Sequence, residues 1–235
     1  MKLNRNDLCW CGSQKKYKKC HLAFDEKLEQ LKQQGKKIPT HKMIKTPEQI
    51  EGIKKAAVIN SGLLDYIEAN IKVGMTTEEI DVMAKEYTAK YGAVCADYQY
   101  MGYPKHICVS INDVVCHGIP NEQTILQEGD IVNVDATTML NGYYADASRM
   151  FMIGKVSNEA KKLVSDTKKA LELGMASVIP YQSCVGDIGK AIETFAKAMG
   201  YSVVREFCGH GVGLAIHEDP YVFHFEPNVP TGLYN

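Results

Sequence analysis

The chain has 235 residues, of which 45% are hydrophobic and 23% charged, and this length suits one large domain or one domain with a small module. No apolar run is long enough to span a bilayer and the N-terminus has no stretch of secretory type, so we expect neither a membrane protein nor a secreted one. The net charge of −1 conceals an asymmetry, because residues 1–45 carry +8 and residues 46–235 carry −9. A basic tip on an acidic body indicates contact with a polyanion such as RNA, and a merely solvated lysine-rich segment is the alternative.

The first twenty residues hold three of the eight cysteines, and a histidine follows the third. Cys9, Cys11, Cys20 and His21 form the pattern C-x-C, eight residues, C-H. Three thiolates and one imidazole are a donor set that tetrahedral structural Zn²⁺ prefers, and so short a segment needs the metal to fold. We therefore predict one structural zinc ion in a module spanning residues 1–24. A flexible basic tail with incidental cysteines is the alternative.

Residues 25–45 are predicted to form a short helix that runs into a polar linker, because Gly35 and Pro39 interrupt the sequence there. We place the domain boundary near residue 45, so that residues 46–235 form the second domain.

Two helices are predicted at the start of this second domain. Thr46-Pro47 begins the first helix, and the capping box Thr76 to Glu79 begins the second, which ends at Gly92. A shift of 108 residues finds the pattern again, since Ile80, Tyr87, Tyr91 and Gly92 correspond to Ile188, Phe195, Met199 and Gly200. This repeat indicates two related halves, although chance similarity of amphipathic helices remains the alternative.

Strands are predicted between the two helix pairs. Residues 106–111 and 129–138 are rich in β-branched side chains, and Asn141-Gly142 is a hairpin turn signal. Helices and strands together place the domain in the α/β or α+β class.

The predicted hairpin contains two aspartates, Asp135 and Asp146, and the length of the turn decides whether they lie on the same face of the hairpin. A two-residue turn pairs Thr137 with Asp146, which puts Asp135 and Asp146 on one face, about 7 Å apart as diagonal neighbours. A three-residue loop would put them on opposite faces. Facing carboxylates repel one another and favour a divalent cation such as Mn, Fe or Co. The alternative is that one aspartate is only a turn or strand-edge residue.

Three histidines are candidates for the same site. His210 lies among glycines in Cys208-Gly-His-Gly-Val-Gly213, His217 follows seven residues later, and His117 precedes Gly118 in a His-Gly-Ile-Pro turn. Glycines let backbone approach a ligand closely. The sequence contains no H-E-x-x-H, P-loop, G-x-S-x-G or dinucleotide-binding fingerprint, which excludes those chemistries.

These motifs identify residues 46–235 as similar to the type I methionine aminopeptidases, which have the pita-bread metallopeptidase fold. The segments that carry the resemblance are Tyr103-Pro-Lys, Ser110 to Pro120, Val132 to Asp135, Tyr144-Ala-Asp146 and Cys208 to Gly213. Residues 4–22 resemble the SEC-C zinc motif. The implied structure is an α+β pita-bread fold of two pseudo-symmetric helix-helix-strand halves, preceded by a small zinc-binding module.

The resemblance implies a role for each candidate residue. Asp135, Asp146 and His210 would be metal ligands, and His117 and His217 would contact the substrate peptide as catalytic residues. Tyr100, Tyr103 and Cys108 would line a methionine pocket, in which Ile216 replaces an expected aromatic residue. The family implies two divalent ions (Co, Mn, Fe or Zn) sharing a hydroxide that attacks the first peptide bond.

The implied function is removal of the initiator methionine from nascent polypeptides. We expect a cytoplasmic, monomeric enzyme without membrane contact. Its basic zinc module is a candidate for contact with the ribosome. Two glutamate ligands of the family lie on later strands, so we expect the C-terminal part of the fold to be missing from this chain. Two alternatives follow: a non-catalytic peptide- or ribosome-binding protein with the same fold, and an Xaa-Pro peptidase. The Val-Cys-His-Gly-Ile-Pro segment favours methionine removal over the latter.

Overall fold

A computed structural model describes residues 3–228, and these residues divide into two compact units. One unit contains the described residues up to Thr46, residues 169–210 and the described residues from Asp219 onward, and the other contains residues 47–168 and 211–218. No helix in the described range is both long enough and apolar enough to cross a membrane.

Two antiparallel-sheet layers and five α-helices make up the described chain, together with two short 3₁₀ turns at Tyr17–Lys19 and Tyr100–Gly102. The helices are α1 (Leu22–Gln33), α2 (Pro47–Asn70), α3 (Thr77–Lys90), α4 (Asn158–Ala176) and α5 (Val185–Ala198). The strands are β1 (Val94–Cys95), β2 (Cys108–Ile111), β3 (Ile131–Leu140), β4 (Tyr143–Met152), β5 (Gly209–Gly211) and β6 (Glu218–Val222).

The predicted helix starts are confirmed. Helix α2 begins at Pro47, and helix α3 follows a complete capping box in which Thr76 and Glu79 bond each other's backbone N–H groups. Helix α5 occupies the residues of α3 shifted by 108, as the repeat predicts, and its N-cap residue Cys184 accepts the backbone N–H of Asp187. The predicted helix of the linker region begins earlier than expected, at Leu22, directly after the histidine of the metal-ligand motif.

The larger sheet has four antiparallel strands in which β3 is central. Strands β1 and β2 pair with different segments of the same edge of β3, and β4 pairs with the whole length of its other edge. Asn141 and Gly142 both have positive φ, which gives the two-residue turn that joins β3 to β4. Leu140 is therefore the partner of Tyr143, as predicted.

One face of this sheet is buried against α2 and α3. Its core contains Val132, Val134 and Ala136 of β3 and apolar residues of both helices, among them the fully buried Leu63, Ile67 and Ile80. Because side chains alternate across a strand, the odd-numbered residues of β3 project from the opposite face. Asp135 and Asp146, the two predicted metal ligands, lie on that opposite face.

Candidate active site

Asp135 and Asp146 lie on the same face of the larger sheet. In the β3–β4 ladder the partner of Asp146 is Thr137, and Asp135 is two residues before Thr137. The two carboxylates are therefore diagonal neighbours. The register predicted from the Asn141-Gly142 turn is confirmed, while the metal-binding role of the two aspartates stays a prediction.

A third carboxylate, that of Asp97, adjoins Asp135 and Asp146, although no sequence motif points to it. It accepts hydrogen bonds from the backbone N–H of Thr137 at 3.0 Å and from the Thr137 hydroxyl at 3.4 Å. Burial, together with the negative charges of Asp135 and Asp146, raises the pKa of Asp97 to about 7. Its sequence neighbourhood, Ala96-Asp97-Tyr98, contains no pattern that distinguishes it from an ordinary turn aspartate.

Cys108 lies directly opposite Asp135 in the β2–β3 ladder, so the predicted pocket residue and the predicted metal ligand share a face. Burial raises the pKa of Cys108 to about 12, which keeps it a neutral thiol. The hydroxyl of Tyr103 donates to the carbonyl oxygens of Ile107 and Gly118, at 3.1 and 3.2 Å. Tyr103 thereby joins the start of β2 to the loop that carries His117.

The His117-Gly118 dipeptide is fixed against β2. His117 has a φ of 57°, and a Cβ atom at Gly118 would overlap the carbonyl oxygen of Val109. Gly118 accepts from the N–H of Val109 at 2.9 Å and donates to the Ser110 hydroxyl at 3.1 Å. The glycine is therefore required by close backbone approach, and it sets the position of the histidine before it.

His217 lies in a turn that is also fixed. The side chain of Glu218 accepts from the N–H groups of Leu214 and Ala215, at 2.6 and 2.9 Å. The N–H of Tyr144, two residues before Asp146, donates to the carbonyl oxygen of Gly213 at 2.8 Å. Ile216, where an aromatic residue was expected, is buried.

His210 is on β5 and belongs to the other compact unit, so its approach to the two aspartates stays a prediction. Two later glutamates have structural contacts of their own. Glu218 accepts from the turn described above, and Glu226 pairs with Lys190 of α5 at 2.9 Å.

The four predicted zinc ligands are close together. Their donor atoms all lie within 4.8 Å of one another, the only such group of three or more among residues 3–228. The sulfur atoms of Cys11 and Cys20 are 3.6 Å apart, and Nδ1 of His21 is 3.2 Å from the sulfur atoms of Cys9 and Cys20. Tetrahedral Zn–S bonds require sulfur atoms about 3.8 Å apart, so this geometry fits zinc.

The thiols of this cluster differ in acidity. Burial raises the pKa of Cys9 to about 11. Burial also opposes ionisation of Cys11, but hydrogen bonds with the side chain and backbone of Ser13 and with Cys20 and Cys9 together outweigh that effect, and the pKa of Cys11 falls to about 6. At neutral pH the cluster therefore offers a thiolate at Cys11.

A carboxylate of α1 supports the cluster from outside, which the sequence did not reveal. Asp25 accepts from the indole N–H of Trp10 at 2.9 Å and from the Tyr17 hydroxyl at 2.7 Å, and Nε2 of His41 is 3.2 Å away. The Trp10 ring stacks on His41, with centroids 4.1 Å apart, and its centroid is 4.4 Å from that of His21. One side chain thus links two residues within the ligand motif to one residue after it.

Two family models match this sequence. The description "Metallopeptidase family M24" matches residues 51–232, and "SEC-C motif" matches residues 5–23. The first match covers the larger sheet and most or all of each helix from α2 to α5, and the second covers the cysteine cluster.

Curated relatives and solved structures agree with each other. A methionine aminopeptidase of Chlamydia muridarum is 43% identical over 94% of this chain and 77% of its own length, and that of Escherichia coli K12 is 43% identical over 78% and 69%. The crystal structure of methionine aminopeptidase from Rickettsia prowazekii superposes with a TM-score of 0.77 at 39% identity, covering 81% of this chain and 75% of its own.

Proposed function

The chain belongs to the metallopeptidase family M24, and from this membership we propose that it is a metalloaminopeptidase that removes the initiator methionine from the N-termini of nascent polypeptides. The observation that carries the proposal is the hairpin register, which puts Asp135 and Asp146 on one face of the sheet with Cys108 directly opposite Asp135. A non-catalytic binding protein is not favoured, because the similarity to methionine aminopeptidases extends over most of the chain.

We propose that Asp135, Asp146 and His210 hold two divalent ions, of Co, Mn, Fe or Zn. The environment of Asp97 supports this fit, because its pKa is raised first by burial and then by the negative charges of Asp135 and Asp146, which a cation would neutralise. Carboxylate and imidazole donors suit these metals. When bound, such ions lower the pKa of water and stabilise negative charge on a carbonyl oxygen.

The remaining residues bind and orient the substrate. His117 and His217 are proposed to donate hydrogen bonds to the scissile peptide, since hydrogen bonds fix the backbone of the turn that carries each histidine, one against β2 and the other against β4. Tyr100, Tyr103 and Cys108 are proposed to enclose the methionine side chain and exclude water from it. A neutral thiol and aromatic rings suit a flexible thioether.

The N-terminal module is proposed to bind one structural Zn²⁺ through Cys9, Cys11, Cys20 and His21. The side chains of Lys15, Lys16, Lys18 and Lys19 are exposed around this cluster, and they supply the positive charge for contact with the ribosome. We further propose a cytoplasmic monomer, because the substrate emerges from ribosomes and every proposed ligand belongs to one chain.

The test is release of methionine from the tripeptide Met-Ala-Ser by a full-length preparation loaded with Mn²⁺ or Co²⁺. An Xaa-Pro dipeptide serves as the second substrate. Release from Met-Ala-Ser, with slower or absent cleavage of the Xaa-Pro bond, is the expected result. A metal-loaded, folded preparation that releases no methionine would contradict the proposal, and preferential Xaa-Pro cleavage would replace it.

A further inference from the structure

Tyr100 and His217 form a hydrogen-bonded pair although they are 117 positions apart in the chain. The hydroxyl oxygen of Tyr100 lies 2.9 Å from Nδ1 of His217, and the two ring centroids are 5.3 Å apart with planes inclined by 36°. A neutral imidazole has one N–H group, and the partner of one nitrogen decides which nitrogen carries it. The Tyr100 hydroxyl can donate to Nδ1 or accept from it, so the direction of this hydrogen bond and the tautomer of His217 are linked.

The backbone at Tyr100 is held in an unfavourable conformation. Gln99 and Met101, on either side of it, have φ values of 66° and 49°, a region that residues with a Cβ atom rarely adopt. Backbone hydrogen bonds compensate: the N–H of Tyr100 donates to the carbonyl oxygen of Asp97 at 3.0 Å, and the N–H of Gln99 donates to the carbonyl oxygen of Tyr103 at 2.8 Å. Strained backbone of this kind is a feature of functional sites, where the surrounding structure maintains it.

The partner residue is fixed by separate contacts. The turn before His217 is closed by Glu218, and its Gly213 is bonded to Tyr144 of β4. Both members of the pair are thus positioned independently of each other. The backbone of both segments is fixed without the hydrogen bond between them, so this bond acts on the orientation of the imidazole ring.

We propose that Tyr100 is a positioning residue for His217, in addition to lining the pocket. Its hydroxyl donates to Nδ1, which leaves the proton on Nε2, so that Nε2 is the donor to the carbonyl oxygen of the scissile peptide as negative charge develops there. This inference rests on the proposed function, because it assigns the substrate contact of His217 to a defined nitrogen.

The kinetic test is Tyr100→Phe, which removes the hydroxyl and keeps the ring in the pocket. We expect kcat for Met-Ala-Ser to fall about tenfold while KM changes less than about threefold, because the lost interaction strengthens in the transition state. Tyr98→Phe is the matched control, since Tyr98 is half exposed, its ring stacks on His106, and loss of its hydroxyl leaves activity unchanged. A change confined to KM would mean that Tyr100 only lines the pocket, and would overturn the proposal.

A double variant adds a second readout. If Tyr100 acts through His217, then Tyr100→Phe in a His217→Gln background causes no further loss of kcat. A tenfold additional loss in that background would overturn the proposal.

The third readout does not depend on catalysis. Long-range ¹H–¹⁵N NMR, with His217 assigned by comparison with His217→Gln, should show an unprotonated Nδ1 in the parent protein and a tautomer mixture in Tyr100→Phe. Identical spectra would overturn the proposal even if methionine is released. Failure of the parent protein to release methionine would instead contradict the proposed function, and the NMR result would still decide whether Tyr100 sets the tautomer.

Discussion

Cys108 of β2 is the direct ladder partner of Asp135 of β3. A residue proposed for the methionine pocket is therefore adjacent, across the strands, to a residue proposed for metal binding. Side chains at such paired positions have Cβ atoms about 5 Å apart. The larger sheet by itself thus places one proposed pocket residue beside one proposed metal ligand.

Replacing Asp135 by alanine should abolish turnover. Loss of one carboxylate removes a proposed ligand, and we expect methionine release to fall by more than about 100-fold together with bound active-site metal. The measurements are tripeptide cleavage and metal content by elemental analysis. Asp65→Ala is the control, because Asp65 is an exposed carboxylate of α2 that pairs with Arg149 and should change activity less than about twofold. Unchanged cleavage and metal content in Asp135→Ala would remove Asp135 from the site.

Replacing Asp97 by asparagine should stabilise the metal-free protein at neutral and alkaline pH. Burial and the charges of Asp135 and Asp146 raise the pKa of Asp97 from 3.8 to about 7. Below pH 3.8 the carboxyl is protonated in both the folded and unfolded states. Between these values only the folded protein retains the proton, so stability falls as pH rises through this window.

Asparagine does not titrate, so the stability of the Asp97→Asn variant does not fall in this way as the pH rises. At pH 8 we expect Asp97→Asn to be about 2 kcal/mol more stable than the parent, a difference that disappears towards pH 4. Thermal unfolding of chelator-treated protein at both pH values measures it. The exposed Asp113→Asn variant should behave like the parent. Equal stability of Asp97→Asn and the parent at pH 8 would show that Asp97 is not held in a charged, desolvated group.

Replacing Gly118 by alanine should destabilise the loop that carries His117. The new methyl group would overlap the carbonyl oxygen of Val109, and backbone cannot move away as a flexible side chain can. We expect a loss of about 2 kcal/mol in the free energy of unfolding, with reduced methionine release, because His117 shifts with its neighbour. Val115→Ala, at an exposed position of the same loop, is the control for both measurements. If Gly118→Ala has the stability and activity of the parent, the loop accommodates a methyl group at this position and the expected overlap with Val109 is wrong.

Replacing Asp25 by alanine should weaken zinc binding although Asp25 is not a ligand. Its loss leaves the Trp10 indole and the Tyr17 hydroxyl without their acceptor, and outer carboxylates of this kind orient metal ligands. We expect zinc to transfer to a colorimetric chelator roughly tenfold faster. Glu29→Ala, an exposed change on the same helix, should transfer zinc at the parent rate. If zinc transfers from Asp25→Ala and from the parent at equal rates, Asp25 does not contribute to zinc binding.

Local sequence determined much of this protein. The capping box at Thr76, the proline at the start of α2 and the positive-φ pair Asn141-Gly142 act over a few residues, so their structural result is readable from the chain itself. The family motifs added the pita-bread α+β fold and the metalloaminopeptidase class, and the similarity to relatives and solved structures confirms both. The zinc ligands are also local, because all four lie within thirteen consecutive residues.

Contacts between distant segments were decided only by the tertiary structure. Asp97 approaches Thr137 across 40 positions, and Tyr100 meets His217 across 117, and no local pattern predicts either contact. A turn or a cap depends on the backbone preferences of adjacent residues, which the sequence states directly. The charge around Asp97 and the tautomer of His217 depend instead on which strands and turns become neighbours, and that is fixed only when the sheet has formed.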